Sequence, residues 1–275
     1  MKIGVRAHDF GKRGIREMAA LLHDEEYEAA QLALPKAFLE IESYEDVTPD
    51  KLEQIRRAFE EQDVAISVLG CYMDLGNPDP QIRRQGVETV KKSLTWGKEL
   101  GAAVVGTETA YPHLNAQERA QWKPFMIDSV LRILEEAARV DMPLAIEPVW
   151  WHPLEDLDTT LEVIRLAGDE RHLRLIFDAA NVLKDPDHTD QDAFWDLWLG
   201  QIGKYVDVMH IKDFSLNRKN QYQPEALGAG VMRYGQIGRW LAAQDREISL
   251  LREEMNLLFA KEDIGFMRRL QAGTV

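Results

Sequence analysis

The sequence is short of several features that would define other kinds of protein. Cys71 is the only cysteine among 275 residues, so no disulfide can form within the chain. No apolar run approaches the ~20 residues that a membrane-spanning helix needs, and the N-terminus shows no apolar stretch of secretory length. We therefore expect a cytoplasmic protein, because an unpaired cysteine and the lack of a membrane span suit that compartment.

Positive charge is also scarce, with 33 lysine and arginine residues against 47 aspartate and glutamate residues and a net charge of -14. A chain this acidic lacks the electrostatic footprint of a nucleic-acid-binding protein. Residues 6–11 form the first turn and lack the glycine-rich fingerprint of a doubly wound nucleotide-binding sheet. We expect a small-molecule partner, with no nucleic acid and no membrane.

What the sequence does contain is a regular alternation of short apolar runs and longer amphipathic segments. The predicted strands are residues 2–7, 29–34, 64–70, 102–107, 143–148, 173–178, 206–211 and 247–252. The predicted helices lie near residues 14–24, 49–62, 80–100, 117–140, 157–167, 191–203, 234–243 and 259–270. Eight such repeats predict an α/β fold of the (β/α)8 TIM barrel type, as a single domain over residues 1–275. Residues 212–233 form the longest irregular stretch, where barrels commonly cover their active sites.

Four residues that can bind a metal stand at the C-terminal ends of the later strands. They are Glu147, Asp178, His210 and Glu253, each about one strand–helix unit after the last. In a parallel barrel these ends meet at one face. Three carboxylates and an imidazole at one point repel each other unless a cation lies between them. The pattern predicts one divalent metal ion, and ligands without a thiolate suit Mn²⁺, Mg²⁺, Co²⁺ or Zn²⁺.

Each of these residues also has a structural interpretation when taken alone. An acid at a strand end often caps the next helix, and a buried histidine is more often a hydrogen-bonded core residue than a ligand. Glu147 follows an apolar run and precedes Pro148, so it is predicted to be buried and to need a partner. The last ligand is open between Glu253 and Glu254, since adjacent strand residues point to opposite faces.

Other polar residues at the same end are candidates for binding the substrate. Lys212 would hold a phosphate or a carbonyl oxygen, or else form an ion pair with Asp178. Glu108 would accept a hydrogen bond from a substrate hydroxyl or support a metal ligand. His8 would bind a hydroxyl, or form a structural pair with Asp9.

A cluster of rings follows the fifth strand. His152 lies just beyond Glu147 and is a further candidate for substrate binding. Trp150 and Trp151 would form an apolar wall against a sugar, cover the barrel mouth, or contact a second subunit of a homo-oligomer. Residues 227–230 read Leu-Gly-Ala-Gly, and a lone Gly-x-Gly of this kind is weak evidence for a phosphate-binding loop.

Five motifs in strand order resemble the sugar phosphate isomerase/epimerase family, within the xylose isomerase-like TIM barrel superfamily. They read Val-Val-Gly-Thr-Glu-Thr, Ala-Ile-Glu-Pro-Val, Ile-Phe-Asp-Ala-Ala-Asn, His-Ile-Lys-Asp and Leu-Gly-Ala-Gly. The resemblance implies one divalent metal held by Glu147, Asp178, His210 and a last-strand glutamate, and it favours Glu253. It also implies that Glu147 and Glu253 are the catalytic acid and base.

The resemblance implies an isomerase or epimerase that acts on a ketose or sugar phosphate by proton transfer through a metal-stabilised enediolate. An inosose-type dehydratase, a lyase, shares the first step and stays an alternative. The chain has Asn181 where the epimerases often have histidine, and Trp150 and Trp151 where they often have arginine. Because of these departures, a non-catalytic sugar-binding barrel remains an alternative function. Endonuclease IV-like DNA-repair enzymes belong to the same superfamily, but seven histidines and a net charge of -14 disfavour that function.

Overall fold

Eight parallel strands close into a barrel, as the sequence predicts. The computed structural model describes residues 1–185, 190–219, 221–255 and 257–275. The barrel strands are β1 (Lys2–Arg6), β2 (Ala29–Leu32), β3 (Ala65–Gly70), β4 (Val104–Thr107), β5 (Leu144–Ile146), β6 (Leu173–Asp178), β7 (Val206–Ile211) and β10 (Ser249–Arg252). The barrel closes where β1 pairs with β10, with Lys2 opposite Ser249 and Val5 opposite Arg252.

Helices follow the strands and pack outside them. They are α1 (Ile15–Asp24), α2 (Leu34–Ala37), α3 (Pro49–Glu61), α4 (Pro80–Leu100), α5 (Ala116–Val140), α6 (Leu157–Ala167), α7 (Ala179–Val182), α8 (Gln191–Ile202), α9 (Gly235–Ala242) and α10 (Ala260–Gln271). The Asp79 side chain caps α4 by accepting from Gln81 N at 2.8 Å, and Gly101 ends that helix with a φ of 69°. No described helix is both long and apolar enough to cross a membrane.

The segment predicted to be irregular contains a β-hairpin, so that prediction is wrong. β8 (Asp213–Leu216) pairs antiparallel with β9 (Tyr222–Glu225) between β7 and α9. Within it the rings of Phe214 and Tyr222 stack with centroids 4.8 Å apart. Arg252 Nη2 on β10 donates to Glu225 O at 2.8 Å. Ring stacking and this long-range bond compensate for a weak strand signal that includes a proline.

The barrel interior is apolar through its middle and polar at its C-terminal end. An inner cluster fills the middle and comprises Ala29, Val68, Val104, Ala145, Ile176, Val208 and Leu251. Gly106 is needed there, because a Cβ at this position would lie 2.6 Å from Val68 Cγ1 and 2.8 Å from Ile176 Cδ1. A filled interior leaves the C-terminal strand ends as the place where polar side chains converge.

Candidate metal centre and active site

The strand ends bring three of the predicted metal ligands together. Asp178 ends β6, His210 lies one residue before the end of β7, and Glu147 directly follows β5. Ligand atoms of these three residues all lie within 4.8 Å of one another, and the side chains are buried. A buried cluster of two carboxylates and an imidazole is a ligand set that could hold a divalent metal.

Glu253 is the last-strand acid that faces this cluster. Its Oε1 lies 3.3 Å from His210 Nδ1, the same distance as Glu147 Oε2 from that nitrogen. Glu253 is only 5% exposed. Glu254 has a φ of 53°, lies near the surface and accepts a hydrogen bond from Tyr222 Oη. The backbone turn after β10 therefore separates the two glutamates, and Glu253 is the one placed among the predicted ligands.

The His210 ring is oriented by a buried glutamine. His210 Nε2 lies 2.7 Å from Gln31 Oε1, and because an amide oxygen only accepts, Nε2 carries the hydrogen. Nδ1 is left facing the carboxylates with no hydrogen-bond partner among the described residues. Burial lowers the pKa of His210, but Glu253 and Glu147 outweigh it and raise that pKa to about 9. The carboxylates thus favour a positive charge at Nδ1, which a metal cation would supply.

Asp178 caps a helix, which is its structural interpretation, and its second oxygen remains a candidate metal ligand. Its Oδ1 accepts from Ala180 N at 2.9 Å and Asn181 N at 3.1 Å, and so caps the short helix α7. Its Oδ2 has no hydrogen-bond partner within the described ranges and lies 2.9 Å from Lys212 Nζ. One oxygen fixes the side chain and the other faces the cluster, an arrangement suited to a metal ligand.

Two cations offset part of the negative charge of the cluster. Lys212 Nζ lies 2.9 Å from Asp178 Oδ2 and 3.4 Å from Glu253 Oε2, so the ion-pair interpretation of Lys212 is confirmed. Arg6 Nη1 lies 3.3 Å from Glu253 Oε1 and also pairs with Asp9. Burial alone would raise the pKa of Glu253, but His210, Arg6 and Lys212 lower it, which keeps this carboxylate anionic.

Of the remaining predicted substrate ligands, Glu108 and His8 line cavities at the mouth of the barrel, whereas His152 is buried with 1% exposure. Burial and the carboxylates of Glu147 and Glu253 raise the pKa of Glu108 to about 8, so it can donate a hydrogen bond where an acceptor was predicted. Its Oε2 lies 3.5 Å from His152 Nδ1. Burial lowers the pKa of His152 to about 3. Burial, with Arg6 and Lys36, lowers the pKa of His8 to about 4.

The Gly-x-Gly turn is not available as a phosphate loop. Asp213 is buried, and its Oδ2 accepts from Gly228 N and Gly230 N, both at 3.0 Å. Its Oδ1 accepts from Met232 N at 3.0 Å. The backbone donors that would cradle a phosphate are already taken by a carboxylate, so the turn fixes the chain after the hairpin.

Sequence reasoning missed Arg6 and Gln31, two residues that position the cluster, and it noted a third, Asn181, without predicting its partner. Arg6 pairs with Glu253, Gln31 orients His210, and Asn181 Nδ2 donates to Glu147 Oε1 at 2.7 Å. Gln31 had a signal, because it is the one polar residue in the apolar run 29–34. Arg6 lies two residues before the predicted His8, and no local feature of the sequence indicates its partner.

A cavity of about 510 Å³ opens over the cluster. Its lining comes from the ends of β1, β4 and β10, the loops after β5 and β6, and the hairpin: Arg6, Glu108, His113, Trp150, Trp151, Ala180, Asn181, Leu183, Lys184, Lys212, Phe214, Leu216, Tyr222, Glu253 and Glu254. Its size is that of a small-molecule site.

Replacing Gln31 by leucine is expected to weaken metal binding by roughly 10- to 100-fold, because His210 then loses the bond that fixes its ring. Competition with a fluorescent chelator measures the affinity. Gln191 offers a matched control, since its buried amide bonds only Val231 O and Arg233 N in the described part of the chain. Equal losses in Gln31→Leu and Gln191→Leu would contradict a positioning role for Gln31.

Comparison with known proteins agrees with the barrel fold. No curated protein matches the chain by sequence. The structure is similar to that of 3-keto-D-glucoside 4-epimerase from E. coli, with a TM-score of 0.74 and 15% identity over 98% of this chain and 99% of that one. The structure is also similar to that of a xylose isomerase-like TIM barrel protein from Mycobacterium smegmatis in complex with magnesium. The TM-score is 0.72, with 15% identity over 100% of this chain and 98% of that one.

A probable 3-DHS dehydratase from Bacillus anthracis is also similar, with a TM-score of 0.70 and 14% identity over 98% of each chain. At these identities the similarity to solved structures shows the fold alone. The family model of the xylose isomerase-like TIM barrel matches residues 19–270, which is most of the sequence. The chain therefore belongs to the xylose isomerase-like TIM barrel family.

Proposed function

We propose that the protein is a divalent-metal-dependent epimerase or isomerase acting on a keto-sugar. The observation that carries the proposal is the buried cluster of Glu147, Asp178 and His210, in which two ligand atoms have no hydrogen-bond partner among the described residues. Membership of the family and likeness to a sugar epimerase support the substrate class.

Glu147, Asp178, His210 and Glu253 would hold the ion, with Mn²⁺, Mg²⁺, Co²⁺ and Zn²⁺ as the candidates. A bound cation supplies Lewis acidity toward a substrate carbonyl, which makes the neighbouring carbon more acidic. Lys212 is charged and reaches the same cluster, so its ammonium can donate to an oxygen of the substrate.

Glu147 and Glu253 are proposed to move the proton. Each places one oxygen 3.3 Å from His210 Nδ1, so both carboxylates border the same point. One removes a proton from the carbon next to the carbonyl, and the other supports its return. Return to the opposite face inverts that carbon, whereas return to the former carbonyl carbon converts a ketose into an aldose.

Solvent-deuterium exchange tests this function. The metal-loaded protein is incubated with a panel of ketoses and keto-glycosides in deuterated buffer, and NMR follows both deuterium uptake and stereochemistry. We expect exchange at the carbon next to the ketone that disappears after chelation and in Asp178→Ala, which should also lose about one bound ion per chain. Tight sugar binding without exchange across the panel would instead favour a binding protein.

Dehydration is a second candidate, favoured by the position of Glu108. Glu108 lines the cavity and is partly buried, and burial raises its pKa, so its protonated form could deliver a proton to a departing hydroxyl. Likeness to a probable dehydratase points the same way. Loss of water from a β-hydroxy ketone gives a conjugated enone, so growth of its ultraviolet absorbance separates this reaction from epimerisation.

A further inference from the structure

The cavity over the cluster is divided into a polar end and an apolar end. Arg6, Glu108, Lys212 and Glu253 form the polar end, next to the proposed metal ligands. Aromatic and aliphatic side chains predominate in the rest of the lining, which consists of Trp150, Trp151, Ala180, Leu183, Phe214, Leu216 and Tyr222 together with His113, Asn181, Lys184 and Glu254. The hydroxyls of a sugar ring match the polar end, and the aromatic faces at the other end also suit a flat apolar group.

The size of the cavity exceeds what one sugar ring needs. Its volume of about 510 Å³ lies within the range of roughly 300–1,000 Å³ that accommodates drug-sized ligands. A single ring reacting at the cluster would leave the apolar end unfilled. The cavity therefore suits a molecule of two parts, with a polar ring inside and an apolar group outside.

Two aromatic pairs from different loops supply flat surfaces at the apolar end. The rings of His113 and Trp151 are parallel within 2°, with centroids 4.6 Å apart, and Trp150 meets Trp151 edge-on at 5.2 Å. On the hairpin, Phe214 and Tyr222 stack at 4.8 Å with an angle of 23°. Aromatic faces of this kind bind other flat rings by offset stacking or edge contact.

The loop that carries the tryptophans is fixed to the reacting end. Trp150 N donates to Asn181 O at 2.9 Å, and the Asn181 side chain donates to Glu147 Oε1 at 2.7 Å. Leu114 N donates to Trp151 O at 3.1 Å. The backbone of this loop is thus held relative to the cluster, and the contacts of Trp151 with His113 and Trp150 orient the indole rings. This order before binding lowers the entropic cost of binding a ring there.

We propose that the substrate is a glycoside, in which a keto-sugar reacts at the cluster and an apolar, ring-shaped aglycone binds between the Trp150–Trp151 loop and the hairpin. This inference rests on the proposed function and names its substrate class. It also gives a role to Trp150 and Trp151, which line the cavity but are not among the proposed metal ligands.

The test compares matched methyl and phenyl glycosides of one keto-glucose on the metal-loaded, full-length protein. We expect kcat/KM for deuterium exchange, and affinity measured by calorimetry, to favour the phenyl glycoside by at least tenfold. In Trp150→Ala or Trp151→Ala that ratio should fall to near one, and Trp151→Phe, which keeps a flat ring, should restore most of it. Trp96→Ala, at a half-buried tryptophan stacked on Tyr44 outside the cavity lining, should leave the ratio unchanged.

Failure of this inference differs from failure of the proposed function. Equal values for the two glycosides, with exchange intact, would overturn the aglycone site and leave the keto-sugar reaction standing. Absence of exchange with both would count against the reaction, and the ratio of the two binding constants would then decide the aglycone site. A ratio near one, or no binding of either glycoside, would overturn it.

Discussion

Replacing Glu147 by glutamine is expected to lower the rate of deuterium exchange by about 10²- to 10⁴-fold while the protein still binds metal. Glu147 uses Oε1 to accept from Asn181 Nδ2 and Oε2 to face the cluster. The amide has a single oxygen, so metal binding should weaken but persist at saturating metal, and the amide cannot take a proton. Glu253→Gln is expected to cost a similar factor, because Glu253 Oε1 lies at the same distance from His210 Nδ1. NMR measures exchange, and elemental analysis measures the bound ion.

Glu254 supplies the informative contrast for this prediction. It is adjacent in sequence, but its carboxylate accepts a hydrogen bond from Tyr222 Oη on the hairpin, at the lining of the cavity. We expect Glu254→Gln to cost far less than Glu253→Gln in exchange. The reverse order would show that the last-strand ligand has been misassigned, and unchanged exchange in both Glu147→Gln and Glu253→Gln would remove these acids from the chemistry.

Replacing Arg252 by methionine is expected to lower the free energy of unfolding by about 3–5 kcal/mol. Arg252 Nε lies 2.7 Å from Asp263 Oδ2, and both side chains are only 1% exposed. Removing the guanidinium leaves a buried carboxylate without its counter-ion, which is costly. Denaturant unfolding measures the change, and a barrel of this size should lose several degrees of melting temperature per kcal/mol.

The double variant Arg252→Met/Asp263→Leu is the control for this second prediction. It removes both charges, so most of the lost stability should return. Activity should not return with it, since Arg252 also bonds Glu253 O and donates to Glu225 O at 2.8 Å. Full recovery of exchange in the double variant would show that Arg252 positions neither Glu253 nor the hairpin.

The barrel was predictable because its signals are local. Each strand is a short apolar run, and features such as Asp79 before α4 and Gly101 after it mark helix ends within a few residues. The hairpin was not predictable, since β9 contains Pro224 and three polar positions. Its stability depends on contacts from β10 and on the capping role of Asp213.

The candidate metal centre was likewise predictable only in part. Asp178, His210 and Glu147 could be predicted because each ends an apolar run in register with the repeat. Arg6 and Gln31 could not be paired with their partners, because barrel closure alone brings them within reach of Glu253 and His210. Contacts between the first two and the last two barrel strands join residues that are far apart in the sequence, so no local pattern predicts them.

Closure by β10 also sets when during synthesis the metal centre can form. Glu253 directly follows β10, which fills the gap between β7 and β1 in the barrel. Until that strand leaves the ribosome, His210 lacks Glu253, and the barrel stays open at one seam. The nascent chain therefore cannot present the complete proposed ligand set until β10 has been made, and an ion bound by all four residues would be acquired only after that point. Which metal binds would then depend on the free concentration of each divalent ion around the folded barrel and on the relative affinities of those ions.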